Sequence, residues 1–304
     1  MFQSHFGEIA ALLTAVFWTA TSMSFEAAGK RIGSLTVNLL RLYLAYTIYS
    51  VYLYFTRGMI FPTDASAHAW LWLSISGIVG FAIGDLLLFQ AFVVVGARIS
   101  MLIMALVPPI TALIGWIILG ETLTLLNIAG MFITITGVVL VVLKRELPGA
   151  DGKNKKFKFS YPIGGLLLAF GGALGQAVGL VLSKYGMGDY NAFAASQIRV
   201  LAGLVGFTLI FFFMKRWHRV LKSFSNKKGM MFTVIGSVFG PFLGVSFSLL
   251  AIQYTNTGVA ATIMSIVPVL IIPPAIIFFK EKIYFKEVIG AALAVGGVGI
   301  LFLS

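Results

Sequence analysis

The chain contains no cysteine and few charged residues. Among its 304 residues, Asp, Glu, Lys and Arg together make up only 11%, well below the roughly 25% typical of soluble domains. The absence of cysteine excludes disulfide bonds and thiolate metal sites. Because 59% of the residues are hydrophobic, the sequence predicts a protein that crosses a membrane several times.

The residue patterns of common catalytic and nucleotide-binding sites are also missing. The three histidines, His5, His68 and His218, fall in predicted loops, and no pair has the helical spacing of metal ligands. No glycine-rich phosphate loop followed by Lys is found, which disfavours ATP-driven pumping. We therefore expect no cofactor, no metal and no enzymatic activity.

Acidic residues are scarce relative to basic ones, with 10 Asp and Glu against 22 Lys and Arg. The basic residues lie almost entirely in short connections between apolar runs, where topology signals and lipid head groups act. We therefore expect no nucleic-acid binding. Connections that follow odd-numbered apolar runs carry nearly all Lys and Arg, whereas the opposite set holds only Arg57 and Lys184. The positive-inside rule thus predicts non-cytoplasmic termini, in a bacterial cytoplasmic membrane.

Ten apolar runs approach the length of about 20 residues that a membrane-spanning helix needs. They lie near residues 8–28, 34–56, 70–94, 97–119, 124–143, 162–183, 191–214, 229–253, 258–279 and 285–303. The sequence therefore predicts an all-α integral membrane protein with ten transmembrane helices. Residues 1–147 form the first five-helix unit, 148–161 a linker and 162–304 the second unit.

The two units are copies of one another. Residues 75–141 can be laid on residues 235–301 without a gap, and upstream Arg41 falls on Arg199. Leu and Val matches carry little weight in so apolar a chain, so the evidence rests on glycine, proline and glutamate. The matched pairs are Gly80/Gly240, Gly84/Gly244, Pro108/Pro268, Glu121/Glu281, Gly130/Gly290 and Gly137/Gly297. Because each copy has an odd number of spans, the copies are predicted to be inverted repeats, as in many alternating-access transporters.

Four charged residues fall inside predicted spans, where an ionised group costs at least about 2.5–3.5 kcal/mol unless it is paired or hydrated. They are Glu26, Arg41, Asp85 and Arg199, and the repeat position of Asp85 is occupied by Val245. Arg41 could pair with Glu26 or Asp85 as a structural ion pair. Alternatively, Asp85 or Glu26 exchanges a proton with the driving gradient, or an arginine binds a substrate carboxylate.

Polar side chains at mid-span depth are candidates for the wall of a substrate cavity, because polar groups in hydrocarbon must find partners. With the two arginines, the candidates are Trp18, Thr19, Ser22, Asn38, Arg41, Gln90, Gln176, Gln197 and Arg199. The prolines inside the fourth and ninth spans are predicted to bend those helices and to act as a gate or hinge. They include Pro108, Pro109, Pro268 and Pro273, and a static packed kink is the alternative.

Glycines at four- or seven-residue spacings, such as Gly130 and Gly137, predict flat helix faces that pack closely. Glu121 and Glu281 lie between consecutive apolar runs. They are expected to cap the following helix or to pair with nearby basic residues such as Arg98.

Several of these motifs resemble a known family. They are Leu-Gly-Glu-Thr-Leu-Thr-Leu-Leu-Asn-Ile-Ala-Gly at residues 119–130, the arginines in Asn38-Leu-Leu-Arg41 and Gln197-Ile-Arg199, and Phe17-Trp18-Thr19. Over nearly its full length the chain resembles the EamA family of the drug/metabolite transporter superfamily. The resemblance implies ten spans in two repeats and secondary transport of small organic solutes, often export of amino acids or related metabolites. It also implies cytoplasmic termini, the reverse of the charge-based prediction.

The resemblance and the repeat together predict a secondary active transporter that exports a small organic metabolite by alternating access. Proton coupling is left open at this point. A passive facilitator or channel is the alternative, and counterflow with proton dependence would distinguish a carrier from it. The expected partners are the lipid bilayer and a small-molecule substrate, and the chain is expected to be a monomer or a homodimer.

Overall fold

The computed structural model describes residues 5–119, 123–145, 157–254, 260 and 263–302. The α-helices are α1 (Phe6–Ile32), α2 (Ser34–Arg57), α3 (Ala67–Gly77), α4 (Asp85–Val94), α5 (Gly96–Met104), α6 (Val107–Leu119), α7 (Leu125–Val142), α8 (Ile163–Met187), α9 (Ala192–Met214), α10 (Trp217–Ser223), α11 (Lys227–Ser237), α12 (Val245–Tyr254), α13 (Val267–Leu270), α14 (Ile272–Phe279) and α15 (Phe285–Phe302). Two π-helical segments, π1 (Ile78–Gly84) and π2 (Val238–Gly244), join α3 to α4 and α11 to α12.

Seven helical stretches of the described residues are long and apolar enough to cross a membrane. They are Phe6–Ile32, Ala67–Val94, Gly96–Ile114, Leu125–Val142, Ile163–Met187, Ala192–Met214 and Lys227–Tyr254. Large apolar side chains such as Phe55 and Phe213, 80% and 77% exposed, suit contact with lipid rather than water. The prediction of a helical membrane protein is confirmed, whereas the count of ten crossings stays a prediction.

A short strand pair departs from the all-α expectation. Strand β1 (Leu143–Arg145) pairs antiparallel with β2 (Phe157–Phe159), and Leu143 lies opposite Phe159. The alternation of Phe and Lys in β2 suits a strand better than a helix. Most of the predicted linker, 148–161, falls outside the described residues; its described part, from 157 onward, contains β2.

The two π-helical segments occupy corresponding positions of the two repeats. Each contains the matched glycines, Gly80 and Gly84 in π1 and Gly240 and Gly244 in π2. They were not predicted, because the hydrophobic pattern of a long apolar span is the same with or without such an interruption. Segments of this kind are frequent at functional sites, and Asp85 follows directly after π1.

Glycines bring α7 and α15, the last helices of the two repeats, into close contact. A Cβ atom added to Gly137 would lie 2.5 Å from the Gly290 carbonyl oxygen, and one added to Gly297 would lie 2.7 Å from the Gly130 carbonyl oxygen. The late part of each helix therefore meets the early part of the other, so the two helices run antiparallel. Such small-residue faces let helix backbones approach each other in lipid.

This contact predicts a specific cost for one added methyl group. Gly137→Ala should lower the free energy of unfolding by about 1–3 kcal/mol, because the new Cβ would press on the backbone of α15. Thermal unfolding of the purified protein in detergent measures the effect. Gly296→Ala is the matched control, since a Cβ there meets nothing within 4 Å, and equal melting temperatures for the two variants would contradict the contact.

Candidate functional site

A cavity of about 1280 Å³ lies among helices of both repeats. Its described lining comes from α1 to α7 and π1 in the first repeat and from α8, α9, π2, α12 and α13 in the second. Most lining residues are apolar or aromatic, and the charged ones are Arg41, Asp85, Lys184 and Arg199. An apolar wall with a few convergent polar groups is typical of small-molecule binding sites.

Arg41 and Asp85 form a buried ion pair in the cavity wall. Arg41 Nη2 donates to Asp85 Oδ2, and Gln176 Nε2 donates to Asp85 Oδ1 at 2.7 Å. Asn38 holds both partners, because its Oδ1 accepts from Arg41 Nε at 2.8 Å and its Nδ2 donates to the Asp85 carbonyl oxygen at 2.9 Å. Of the alternatives for Arg41, the structure shows pairing with Asp85, and both carboxylate oxygens are occupied.

Aromatic rings lie against both arginines of the cavity. Arg41 Cζ is 4.5 Å from the centroid of the Phe89 ring and 5.7 Å from that of Phe81. Arg199 Cζ lies 4.7 Å from the same Phe81 centroid. Ring faces attract cations by about 0.5–2 kcal/mol, so Phe81 stabilises two guanidinium groups that the repeat relates to each other.

Arg199 differs from Arg41 in its polar contacts. Its side chain lines the cavity, the residue is only 4% exposed, and its Nε has no hydrogen-bond partner among the described residues. The repeat position of Asp85 is taken by Val245, which also lines the cavity. The second repeat thus keeps the buried cation and lacks the matching carboxylate.

The cavity is accessible from one end of the bundle and blocked at the other. At the accessible end, Trp72 of α3 lies beside Tyr185 near the end of α8, with ring centroids 5.0 Å apart, and Tyr185 is 57% exposed. Towards the other end the lining includes Phe25, Phe92 and Met101, which belong to one buried apolar cluster. In the part of the chain that the structure describes, a solute can therefore enter this conformation past Trp72 and the exposed Tyr185.

An ion-pair network lies beyond the blocked end. Arg98 lies near the start of α5. Its Nε is 2.7 Å from Glu281 Oε2, and its Nη1 is 3.0 Å from Glu287 Oε2. Tyr161 donates its hydroxyl proton to Glu287 Oε1 at 2.7 Å. Burial and this contact with Glu287 raise the pKa of Tyr161 to about 12, so the hydroxyl stays protonated at neutral pH. Pairing with Arg98 was one of the roles predicted for Glu281, while Glu121 lies outside the described residues.

The structure brings part of the predicted site to the cavity. The predicted residues in its lining are Trp18, Ser22, Arg41, Asp85, Pro108, Gln176, Arg199 and Pro268. Those that are not in the lining are Thr19, Glu26, Asn38, Gln90, Pro109, Gln197 and Pro273. The first group shares one chamber, and Asn38 acts on it indirectly through the ion pair.

Glu26 and Gln90 make local contacts instead. Glu26 Oε2 accepts from the Ala97 backbone N–H at 2.6 Å, and Glu26 also pairs with Lys30. A carboxylate beside the first turn of α5 satisfies an N–H group that has no partner within the helix. Gln90 Oε1 accepts from the Ser34 hydroxyl at 2.6 Å.

The prolines coincide with helix starts rather than with bends inside continuous helices. Pro108, Pro268 and Pro273 each follow the first residue of a helix, α6, α13 and α14 respectively, and Pro109 comes next in α6. First-turn positions need no backbone N–H donor within the helix, so proline is tolerated there. Both proline-containing segments are therefore interrupted, and the predicted gate or hinge role stays a prediction.

Sequence reasoning missed several residues of the cavity, including Phe81, Trp72, Tyr185 and Met101. A signal existed for Phe81, because residues four apart on a helix lie on the same face and Phe81 precedes Asp85 by four. Nothing local could reveal Trp72 and Tyr185, since they become neighbours only when α3 packs on α8.

Comparisons with known proteins identify the family and the fold. The model of the EamA-like transporter family matches residues 5–143 and, again, residues 163–303. An uncharacterized membrane protein of Saccharomyces cerevisiae is 25% identical over 190 residues, which are 60% of this chain and 46% of that protein, so the match spans less than half of the relative. One crystal structure of a protein, 16% identical with a TM-score of 0.62, covers 98% of this chain and 96% of its own. This structural likeness shows the fold alone.

The ion pair predicts a clear difference between single and double variants. Arg41→Met should lower the free energy of unfolding by about 3–5 kcal/mol, because the Asp85 charge would then stay buried without its cation. Arg41→Met combined with Asp85→Leu removes both charges and should regain much of that loss. Thermal unfolding in detergent measures both, and equal destabilisation of the two variants would mean that the pairing is not the cause.

Proposed function

Because the chain belongs to the EamA-like transporter family, we propose that it is a secondary active transporter. It exports a small organic metabolite, an amino acid or a related solute, by alternating access. The observation that carries this proposal is the cavity between the repeats, which holds Arg41, Asp85 and Arg199 and is accessible from one end. A transporter of this type needs such a chamber near the middle of the membrane, open to one side at a time.

Two features support an arrangement of ten spans in two inverted five-helix repeats, 1–147 and 162–304. The antiparallel contact of α7 with α15 pairs Gly137 with Gly290 and Gly297 with Gly130, and the repeat alignment exchanges these two contacts. This is the pattern of a twofold axis that runs across the helices. The equivalent placement of π1 and π2 supports the same symmetry.

The distribution of charge supports an orientation with the accessible end outside the cell. Lys30 and Arg31 at the end of α1, Arg98 at the start of α5, and Lys227 and Lys228 at the start of α11 lie at one end. That is the blocked end of the cavity, since Arg98 is one turn from Met101. By the positive-inside rule this end is cytoplasmic, in a bacterial cytoplasmic membrane, with both termini outside.

Asp85 is the candidate for proton coupling. It lines the cavity that external solvent can reach, whereas Glu26 is held by Lys30 and by the α5 backbone. Protonation of Asp85 would remove the charge that pairs with Arg41 and loosen the link between α2 and α4. A group with these properties connects the proton gradient to the packing of two helices.

Substitution of the carboxylate tests the proposal directly. In proteoliposomes, Asp85→Asn should abolish accumulation driven by a pH gradient and leave counterflow intact, because only the titrating group is lost. The solute should be one found by a thermal-shift screen of amino acids, nucleobases, vitamins and quaternary amines. Glu26→Gln is the matched control, since it removes a buried carboxylate outside the cavity lining and should retain uphill transport.

Three results would contradict parts of this scheme. Uphill transport retained by Asp85→Asn would remove Asp85 from coupling, and its loss in Glu26→Gln alone would transfer the role to Glu26. High flux of the wild-type protein without counterflow would identify a passive facilitator or channel instead.

Access to the cavity can be measured with single cysteines, because the natural chain has none. In intact cells, a membrane-impermeant maleimide should label Val181→Cys, which lines the cavity on α8. It should label Met101→Cys much more slowly, because Met101 packs in the buried cluster at the blocked end. In a double variant with Met101→Cys, Arg98→Gln breaks the ion pairs with Glu281 and Glu287 beyond the blocked end. Labelling of that cysteine in inside-out vesicles should then become about tenfold faster, as expected for a shift of about 1.4 kcal/mol.

Two labelling results would contradict the proposed orientation or the role of the Arg98 network. Labelling of Val181→Cys in inside-out vesicles only would reverse the proposed orientation. An unchanged labelling rate for Met101→Cys with Arg98→Gln would show that the network does not hold that end closed.

A further inference from the structure

Arg199 is a buried cation that forms no ion pair among the described residues, and the Asp85 carboxylate, which is paired with Arg41, acts on it only at longer range. The residue is 4% exposed, its Nε has no hydrogen-bond partner there, and its guanidinium contacts the Phe81 ring at 4.7 Å. An arginine in hydrocarbon without a counter-charge is costly, and such residues commonly mark substrate or ion pathways. Its side chain lines the cavity, so a solute can reach it.

The second repeat lacks the carboxylate that pairs with the arginine of the first. In the first repeat Arg41 is neutralised by Asp85 on α4, at the position that directly follows π1. In the second repeat the same position after π2 is Val245, whose side chain also lines the cavity. The position that supplies a carboxylate in the first repeat therefore carries an apolar side chain in the second.

The charges of the cavity favour an anion over a zwitterion. The buried cationic side chains of its described lining are Arg41 and Arg199, and its carboxylate is that of Asp85. Both oxygens of Asp85 are already engaged, by Arg41 and by Gln176 at 2.7 Å. An ammonium group on the solute would find no available carboxylate among these residues, and leaving it unpaired would cost affinity.

We propose that Arg199 binds the carboxylate of the transported solute, and that the solutes are organic carboxylates with an apolar or aromatic body and no ammonium group. This inference rests on the proposed transport function and narrows its small organic metabolites to carboxylates related to amino acids, with free amino acids themselves excluded. The planar guanidinium suits two parallel hydrogen bonds to a carboxylate. Trp18, Phe81 and Phe89 line the same cavity and provide an apolar surface for the solute body.

Four related probes test the charge requirement by thermal shift of the purified protein in detergent. They are 3-phenylpropanoate, its neutral amide 3-phenylpropanamide, the cation 2-phenylethylamine and the zwitterion phenylalanine. The carboxylate should raise the melting temperature at the lowest concentration, and the amide and amine should have little effect. Equal stabilisation by the amide or the amine, or tighter binding of phenylalanine, would overturn the proposal.

Substitutions at two positions test the role of Arg199. Arg199→Gln should weaken the apparent affinity for 3-phenylpropanoate by about 10- to 100-fold, as for loss of a charge-assisted hydrogen-bond pair. The affinity of Arg199→Lys should lie between those of the wild type and Arg199→Gln. Val245→Asp supplies the missing carboxylate inside the protein. It should raise the melting temperature without probe and abolish the response to 3-phenylpropanoate.

Val245→Asn is the matched variant, with the shape of aspartate and no charge, and it should bind 3-phenylpropanoate more tightly than Val245→Asp does. If Arg199→Gln does not fold, the pair of Val245 variants still gives a result. A folded Val245→Asp protein with the affinity of the wild type would overturn the assignment of Arg199.

Counterflow in proteoliposomes separates this inference from the proposed function. Counterflow of phenylalanine or 2-phenylethylamine without counterflow of 3-phenylpropanoate would support a carrier and overturn the carboxylate preference. Arg199-dependent binding of 3-phenylpropanoate with no counterflow of any of the four probes would support the anion site and overturn the transport function.

Discussion

A charged group in the hydrocarbon of a membrane needs an opposite charge close by, and the centre of this protein is organised around that constraint. Arg41 and Asp85 satisfy it for each other, and Asn38 and Gln176 complete their hydrogen bonds. Because the pair joins α2 to α4 and α8, it fixes three helices around the cavity. A change in the charge of either partner therefore acts on helix packing as well as on the local potential.

Close backbone contact joins the two repeats at several glycines, beside the side-chain clusters that they also share. Gly84 and Gly175 illustrate this, since a Cβ added to Gly175 would lie 2.6 Å from Gly84 Cα. Smooth contacts of this kind depend on dispersion and weak hydrogen bonds between backbones. They hold the helices together at short range, and few side chains have to change rotamer when one surface shifts against the other.

Much of the fold could be read from the sequence, because it follows from periodic or strongly apolar patterns. The apolar runs located the long helices, and the break between two of them at Gly96 matches a residue with φ of +84°. The strand β2 and the π-helical segments were not predicted, because they depend on pairing and on local backbone geometry. A hydrophobic profile does not record either of these.

For the site, the sequence indicated which charges matter and left their partners open. Arg41, Asp85 and Arg199 were evident as ionisable residues inside apolar runs, and all three line the cavity. Whether Arg41 pairs with Glu26 or Asp85 depends on which helices are neighbours, which a single sequence does not contain. The mouth of the cavity at Trp72 and the network at Arg98 depend on such tertiary neighbours as well.

Asp85 is charged and its repeat counterpart Val245 is not, and this difference requires both repeats to lie in one chain. Two separate identical subunits would carry the same residue at the positions of Asp85 and Val245. Both arginines would then have a carboxylate partner, or neither would. Covalent fusion of the halves removes that restriction, since each copy can then diverge independently. One half becomes a self-contained scaffold, and the other is free to specialise while the overall backbone symmetry is preserved.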